Sequence, residues 1–167
     1  MPITFEQLQA KLGPLNKSEW HQHPNGNGWV QNTAAVEDTA YVEGIVSGNA
    51  RVYGNAQVYG DARVYGDAWV SGDARVSGDA WAFSPLQVKG TQHHVTTCTH
   101  TLIQIGCQQH PASYWLEHYK AIGRANGYTA DQIAEYGLIL KLVASWLEMK
   151  FGKTAPKLDS RGRFVKG

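Results

Sequence analysis

From residue 30 to residue 82 the even-numbered positions hold only Val, Ala and Gly, with Asn32 and Asp38 as the exceptions. The odd-numbered positions hold nearly all the Asp, Arg, Tyr, Trp and Ser of the stretch. Strict alternation means extended backbone with one small apolar face and one polar face. A single strand of that length would reach roughly 170 Å at about 3.3 Å per residue and would leave its backbone unpaired. The chain must therefore bend at short, regular intervals.

The bends are written as a second period laid over the first. Val recurs at 46, 52, 58, 64, 70 and 76, Gly at 48, 54, 60, 66, 72 and 78, and Ala at 50, 56, 62, 68, 74 and 80. Gly followed by Asn or Asp is turn chemistry, because both residues tolerate the left-handed backbone region. Self-similarity every six residues predicts a parallel β-solenoid, in which each short strand pairs with its equivalent one coil away. The earlier hexads, with Val36 and Val42, keep a different phase: Val42-Glu43-Gly44-Ile45-Val46 is two residues short. That step is either a corner defect or the join between the first coil and the rest.

The unit V-x-G-[DN]-A-x resembles the hexapeptide repeat of left-handed β-helices, in which three hexads close one triangular coil. The resemblance implies a left-handed parallel β-helix of about three coils, its narrow prism filled by Val and Ala, since larger side chains would overpack it. Left-handedness departs from the usual crossover rule and comes from the resemblance alone. Three hexads per coil would stack residues eighteen apart, placing Arg51 against Trp69, Arg63 against Trp81, Gln57 against Arg75 and Asp61 above Asp79. Guanidinium over indole contributes about 0.5–2 kcal/mol.

The flanks differ in character. Thr4-Phe5-Glu6-Gln7 has capping-box spacing and opens a short amphipathic helix that Gly13-Pro14 ends. With the loop His21 to Gly28 it forms an N-terminal cap over residues 1–28, expected to cover the first coil. The repeat occupies residues 29–90. Residues 91–152 form a strand-plus-two-helix module: loose alternation between His93 and Cys107 suggests one or two strands. Helices follow from Ser113 to Asn126 and from Thr129 to Phe151, stopped by Gly127 and Gly152. Ile133, Tyr136, Ile139, Leu140, Val143, Trp146 and Leu147 keep helical spacing and need burial against the solenoid or a second subunit. Residues 153–167 carry five basic side chains and one Asp and read as a loose tail. The fold class is thus mainly β with helical flanks.

Ile105-Gly106-Cys107-x-x-His110, then Trp115, Tyr119, Ile122-Gly123, Gly127-Tyr128-Thr129 and Glu135-Tyr136, resembles the segment that follows hexapeptide repeats in small uncharacterised phage and prophage proteins. This implies architecture and a phage origin, and carries no activity.

Hydrophobic content of 43% supports a packed core, and a formal net charge of +1 gives no global field toward nucleic acid or an acidic membrane. Between residues 46 and 82 four Asp stand against three Arg, which is not a phosphate-tracking stripe. No signal-like or membrane-spanning run is present, so the reading is a cytoplasmic protein whose two cysteines are free thiols. If viral, it would act in the host cytoplasm.

Three functional readings remain. Many proteins of the resembled class are acyl-CoA-dependent acyltransferases using a histidine base; no His lies between His23 and His93, leaving His93 or His110 as candidates. Cys98, His100, Cys107 and His110 are weak metal ligands at unfavourable spacing. The third reading is non-enzymatic binding without a cofactor. Tyr59, Tyr65, Trp69 and Trp81, together with Tyr53, alternate with Arg51, Arg63 and Arg75, supplying stacking surfaces beside guanidinium groups. Such residues suit a nucleotide-like signal held between subunits, as an anti-defence sponge would hold it, or a host protein. They equally suit the interface of a homo-oligomer, trimer or dimer, in a purely structural scaffold.

Overall fold

A computed structural model describes residues 3–152; the expected basic tail lies outside the described residues. The described residues divide into two compact units, the first ending at Pro85 and the second beginning at Leu86.

The first unit begins with α1 (Phe5–Leu12). Its capping box is formed, with Thr4 Oγ1 accepting from Gln7 N and the Gln7 side chain accepting from Thr4 N, and Gly13 ends it at φ +92°. Strand β1 (Trp20–Gln22) then pairs antiparallel with β2 (Trp29–Gln31). From β2 onward the chain coils. The first coil carries β2, β3 (Ala35–Val36) and β4 (Tyr41–Val42). The second carries β5 (Ile45–Val46), β6 (Arg51–Val52) and β7 (Gln57–Tyr59). The third carries β8 (Arg63–Val64), β9 (Trp69–Val70) and β10 (Arg75–Ser77), and β11 (Ala80–Trp81) opens a fourth pass. Three sheets result, ordered β1-β2-β5-β8-β11, β3-β6-β9 and β4-β7-β10, with every coil-to-coil pairing parallel. This is a parallel β-solenoid of about three turns.

The interior is the even-numbered set. Val42, Val46, Val52, Val58, Val64, Val70 and Val76 are all fully buried, as are Ala50, Ala56, Ala62, Ala68 and Ala74. Each fully buried Val contributes about 1.5–3 kcal/mol relative to exposure. The six repeat glycines, 48, 54, 60, 66, 72 and 78, sit at φ between +54° and +70° and turn the corners.

Coil length varies, and the register shows where. Ile45 pairs with Arg63 and Arg51 with Trp69, eighteen residues on, whereas Trp29 pairs with Ile45 and Tyr41 with Gln57, sixteen on. The short step at Glu43-Gly44 is therefore a corner of the first coil with two residues removed. Gly44 makes it possible: a Cβ there would lie 2.3 Å from the Ala62 carbonyl oxygen. At the far end the register slips by one. Ala80, not Trp81, pairs with Arg63, and Trp81 aligns with inward Val64. A tight turn with Asp79 N donating to Ser77 O at 2.8 Å removes the residue. Because strand side chains alternate, this flips Trp81 from the expected outer face into the interior, where it is fully buried.

The N-terminal segment does two jobs. Helix α1 lies on the outside of the first sheet, not over its end, where Leu8 packs with outward-facing Trp29 and Ile45 and with Trp20. Lys11 Nζ meets Asp61 Oδ1 at 2.6 Å, and this hydrogen bond and charge hold the Asp61 carboxyl below its usual range. The loop between β1 and β2 covers the first coil. Asn25 Nδ2 donates to Ala40 O at 3.0 Å, replacing the bond that Tyr41 N gives to the equivalent Ala56 O. Buried His23 has its ring nitrogens 3.1 Å from Asn25 O and 3.2 Å from Glu37 O.

The second unit has the two strands expected between His93 and Cys107 and one more on either side of them. Strands β12 (Gln87–Lys89), β13 (His94–Thr97), β14 (Leu102–Ile105) and β15 (Gln108–Pro111) form an antiparallel meander. Helices α2 (Ala112–Ala125) and α3 (Ala130–Phe151) follow, the latter opened by the Thr129–Gln132 capping box. The apolar face of α3 is buried within its own unit: Tyr136, Leu140, Val143 and Leu147 pack with Val95, Ile103 and Trp115. The sequence left the solenoid or a second subunit to bury this face; for these four residues the strands and α2 of the same unit do so. Among the described residues no helix is long and apolar enough to cross a membrane.

Candidate functional site

The outer side of the β3-β6-β9 sheet gathers the most chemistry on the solenoid. Parallel pairing in register sets Arg51 directly beside Trp69, and the guanidinium carbon stands 6.0 Å from the indole centroid. Tyr53, directly after β6, meets Trp69 edge-on at 5.9 Å. Trp69 is 52% exposed, so this indole is held in place while one side remains open. Its backbone amide donates to Ser84 Oγ at 2.9 Å, a bond that the missing fourth coil would otherwise supply.

The corner beside this face adds amide and carboxylate groups. Asn49 and Asp67, both following a turn glycine and eighteen apart, are linked from Nδ2 to Oδ1 at 3.4 Å. Thr33 Oγ1 donates to Gly48 O at 2.6 Å. In the first coil the position in line with Arg51 is Ala35. This small residue leaves a shallow hollow of about 540 Å³ bounded by Thr33, Asn49, Arg51, Tyr53, Asp67 and Trp69. Asn49 and Asp67 were readable only as turn residues; their eighteen-residue separation is the signal that places them beside Arg51 and Trp69.

The other expected ligand residues are distributed around the prism. Arg63 lies on the first sheet with its guanidinium 5.6 Å from the Tyr65 ring. Tyr59 and Arg75 are on the third sheet, where Arg75 pairs with Gln57 and Tyr59 Oη donates to Gln57 Oε1 at 2.7 Å. Tyr41 packs against Tyr59 at 5.1 Å. Trp81 is inside. Of the seven residues, the β3-β6-β9 face brings together Arg51 and Trp69 alone.

The candidates for acid-base or metal chemistry sit in the second unit. His110, on β15, packs against Tyr114 at 4.3 Å with the rings tilted by 32° and meets Trp115 at 5.1 Å; burial, and then the neighbouring His118, lower its pKa. His93 lies in the turn before β13, its backbone amide bound to Tyr136 Oη at 2.6 Å. Cys98 is buried with Sγ 3.5 Å from Leu102 O, and His100 stacks on Phe151 at 3.9 Å. Cys107 is exposed in the turn between β14 and β15, at the opposite end of β14 from Cys98 and His100. Hairpin connectivity thus separates the suggested ligands. Among the described residues no group of three or more His, Cys, Asp or Glu side chains is placed to hold a metal.

Compared with known proteins, residues 46–58 and 56–72 match a family model described as the YdcK beta solenoid repeat. No curated protein and no solved structure matches the chain. The matched residues run through the second coil and into the third, so the coils and the match together describe a β-helix repeat protein.

Proposed function

We propose that the protein is a non-enzymatic binding protein whose β3-β6-β9 face holds a flat, anionic ligand of nucleotide type. One observation carries this reading: an exposed indole fixed between a guanidinium at 6.0 Å and a phenol ring at 5.9 Å, beside an open hollow. A base can stack on Trp69 while a phosphate meets Arg51, and base–aromatic stacking contributes about 1–3 kcal/mol. In this reading the ligand is sequestered and not turned over. With the phage-type C-terminal segment, this reading extends to a sponge for a host nucleotide messenger, held by single chains or between copies in a homo-oligomer.

Thermal-shift measurements with linear and cyclic nucleotides and with acyl-CoA compounds test it, since specific binding raises the melting temperature by linkage. Nucleotide-dependent stabilisation is expected, lost in Trp69→Ala and Arg51→Ala and kept in Arg75→Ala on another sheet. Stabilisation by coenzyme A with turnover lost in His93→Ala or His110→Ala would replace this reading by an acyltransferase.

A further inference from the structure

The second unit contains a cleft of about 240 Å³ between the strand turns at Gln92-His93 and Gly106-Cys107 and the α2–α3 connection. Its apolar lining includes Trp115, Tyr119, Ile122, Tyr128 and Ile133. Glycines seat these side chains. A Cβ at Gly137 would stand 2.7 Å from Tyr119 Cε2, and one at Gly123 would stand 2.8 Å from Ile133 Cγ1. The mouth is also fixed. Tyr136 Oη accepts from Gln92 N at 3.1 Å and from His93 N at 2.6 Å and donates to His93 O at 2.8 Å. Glu135 accepts from Thr91 N and Thr91 Oγ1 at 2.9 and 2.6 Å. The cleft is therefore built before any ligand arrives, which removes the ordering cost of binding.

Its chemistry is selective. No Lys, Arg, Asp or Glu lines it and its one imidazole is that of His93, so a phosphate, carboxylate or ammonium would lose its hydration without meeting a permanently charged partner. Tyr136 Oη is fully used by its three bonds. The polar side chains of the lining include the amides of Gln92, Gln108 and Asn126, beside the His93 ring, the Cys107 thiol and the Tyr119 and Tyr128 hydroxyls. Asn126 Nδ2 donates to Ile122 O at 2.8 Å, which leaves its Oδ1 to accept. Neither Gln92 nor Gln108 uses its side-chain amide in a hydrogen bond among the described residues. Amides both donate and accept, as the edge of a heteroaromatic ring does. The cleft is smaller than drug-sized sites of about 300–1,000 Å³, so it admits one ring system.

We propose that this cleft is a second binding site, for an uncharged heteroaromatic base or its nucleoside, stacked on the tyrosines and read at its edge by the Gln92, Gln108 and Asn126 amides. It is a different site from the Arg51–Trp69 face and takes an uncharged ring where that face takes an anion.

Amide chemical-shift mapping of the full-length ¹⁵N-labelled chain, titrated in turn with adenine, adenosine, AMP and cyclohexanol, tests it. Adenine and adenosine should give saturable shifts at Gly106, Cys107, Gly123 and Gly127, while AMP binds there at least about tenfold more weakly. Gln108→Leu, a rim change that leaves the apolar lining in place, should weaken adenine about tenfold, and Tyr128→Ala should do so as well. Absence of saturable shifts, equal binding of AMP or of cyclohexanol, or an unchanged affinity in folded Gln108→Leu would overturn the proposal. Shifts confined to the solenoid and lost in Trp69→Ala would overturn it while supporting the other site.

Discussion

His110 shows how a single residue is conditioned by its neighbours. Its ring packs tilted against Tyr114, Tyr114 is stacked on His118 at 4.2 Å, and burial and then His118 disfavour the imidazolium. The folded state thus binds its proton less readily than the unfolded chain. The resulting stability is fully present above the ordinary histidine pKa, about 6.5, and is lost as pH falls through the lowered folded value. Thermal melts from about pH 7.5 to about pH 5 should show wild type losing stability relative to His110→Phe, which keeps a ring in the stack and cannot take up a proton. Equal pH profiles would remove His110 as the source. The sequence offered His110 as a possible catalyst or ligand; its surroundings are aromatic because Tyr114 and His118 follow at helical intervals along α2, and the sequence did not show that β15 runs straight into that helix.

At the scale of elements, the coils were legible because two periods coincide. Alternation assigned Val52, Ala56 and Val58 to the interior, and six-residue recurrence assigned Gly54 and Gly60 to corners; the eighteen-residue register, with Arg51 beside Trp69, was implied by the resemblance to hexapeptide β-helices. What alternation could not show is a turn that drops one residue while keeping the same Gly-Asp-Ala words. Gly78-Asp79-Ala80 reads like Gly60-Asp61-Ala62, yet its tighter backbone bond turns Trp81 inward. Trp81→Ala should therefore cost about 3–5 kcal/mol, as removal of a large buried side chain does, measured by the urea unfolding midpoint. An outward indole would lose only about 0.5 kcal/mol. The C-terminal strands were partly hidden for a different reason: β15 reads Gln-Gln-His-Pro and has no β-branched residue. The 240 Å³ cleft was not legible, because its walls come from strand turns and two helices, and no sequence window contains them together.

At the scale of the whole molecule, each unit has its own core: Val and Ala inside the coils with Leu8, Trp20, Trp29 and Ile45 on one flank, and the Trp115–Tyr136–Leu140 cluster in the other unit. A fragment of residues 1–85 should fold alone and unfold cooperatively with a β-type circular dichroism spectrum. A fragment without a cooperative transition would show that its core is insufficient. Within that unit the inward Trp81 has a further consequence. The shaft can be lengthened by inserting another eighteen-residue turn upstream, because each new turn meets neighbours of its own kind. A duplication that includes residue 81 would instead carry a bulky stopper into the middle of the bore, so growth of this architecture is permitted from within and closed at its terminus.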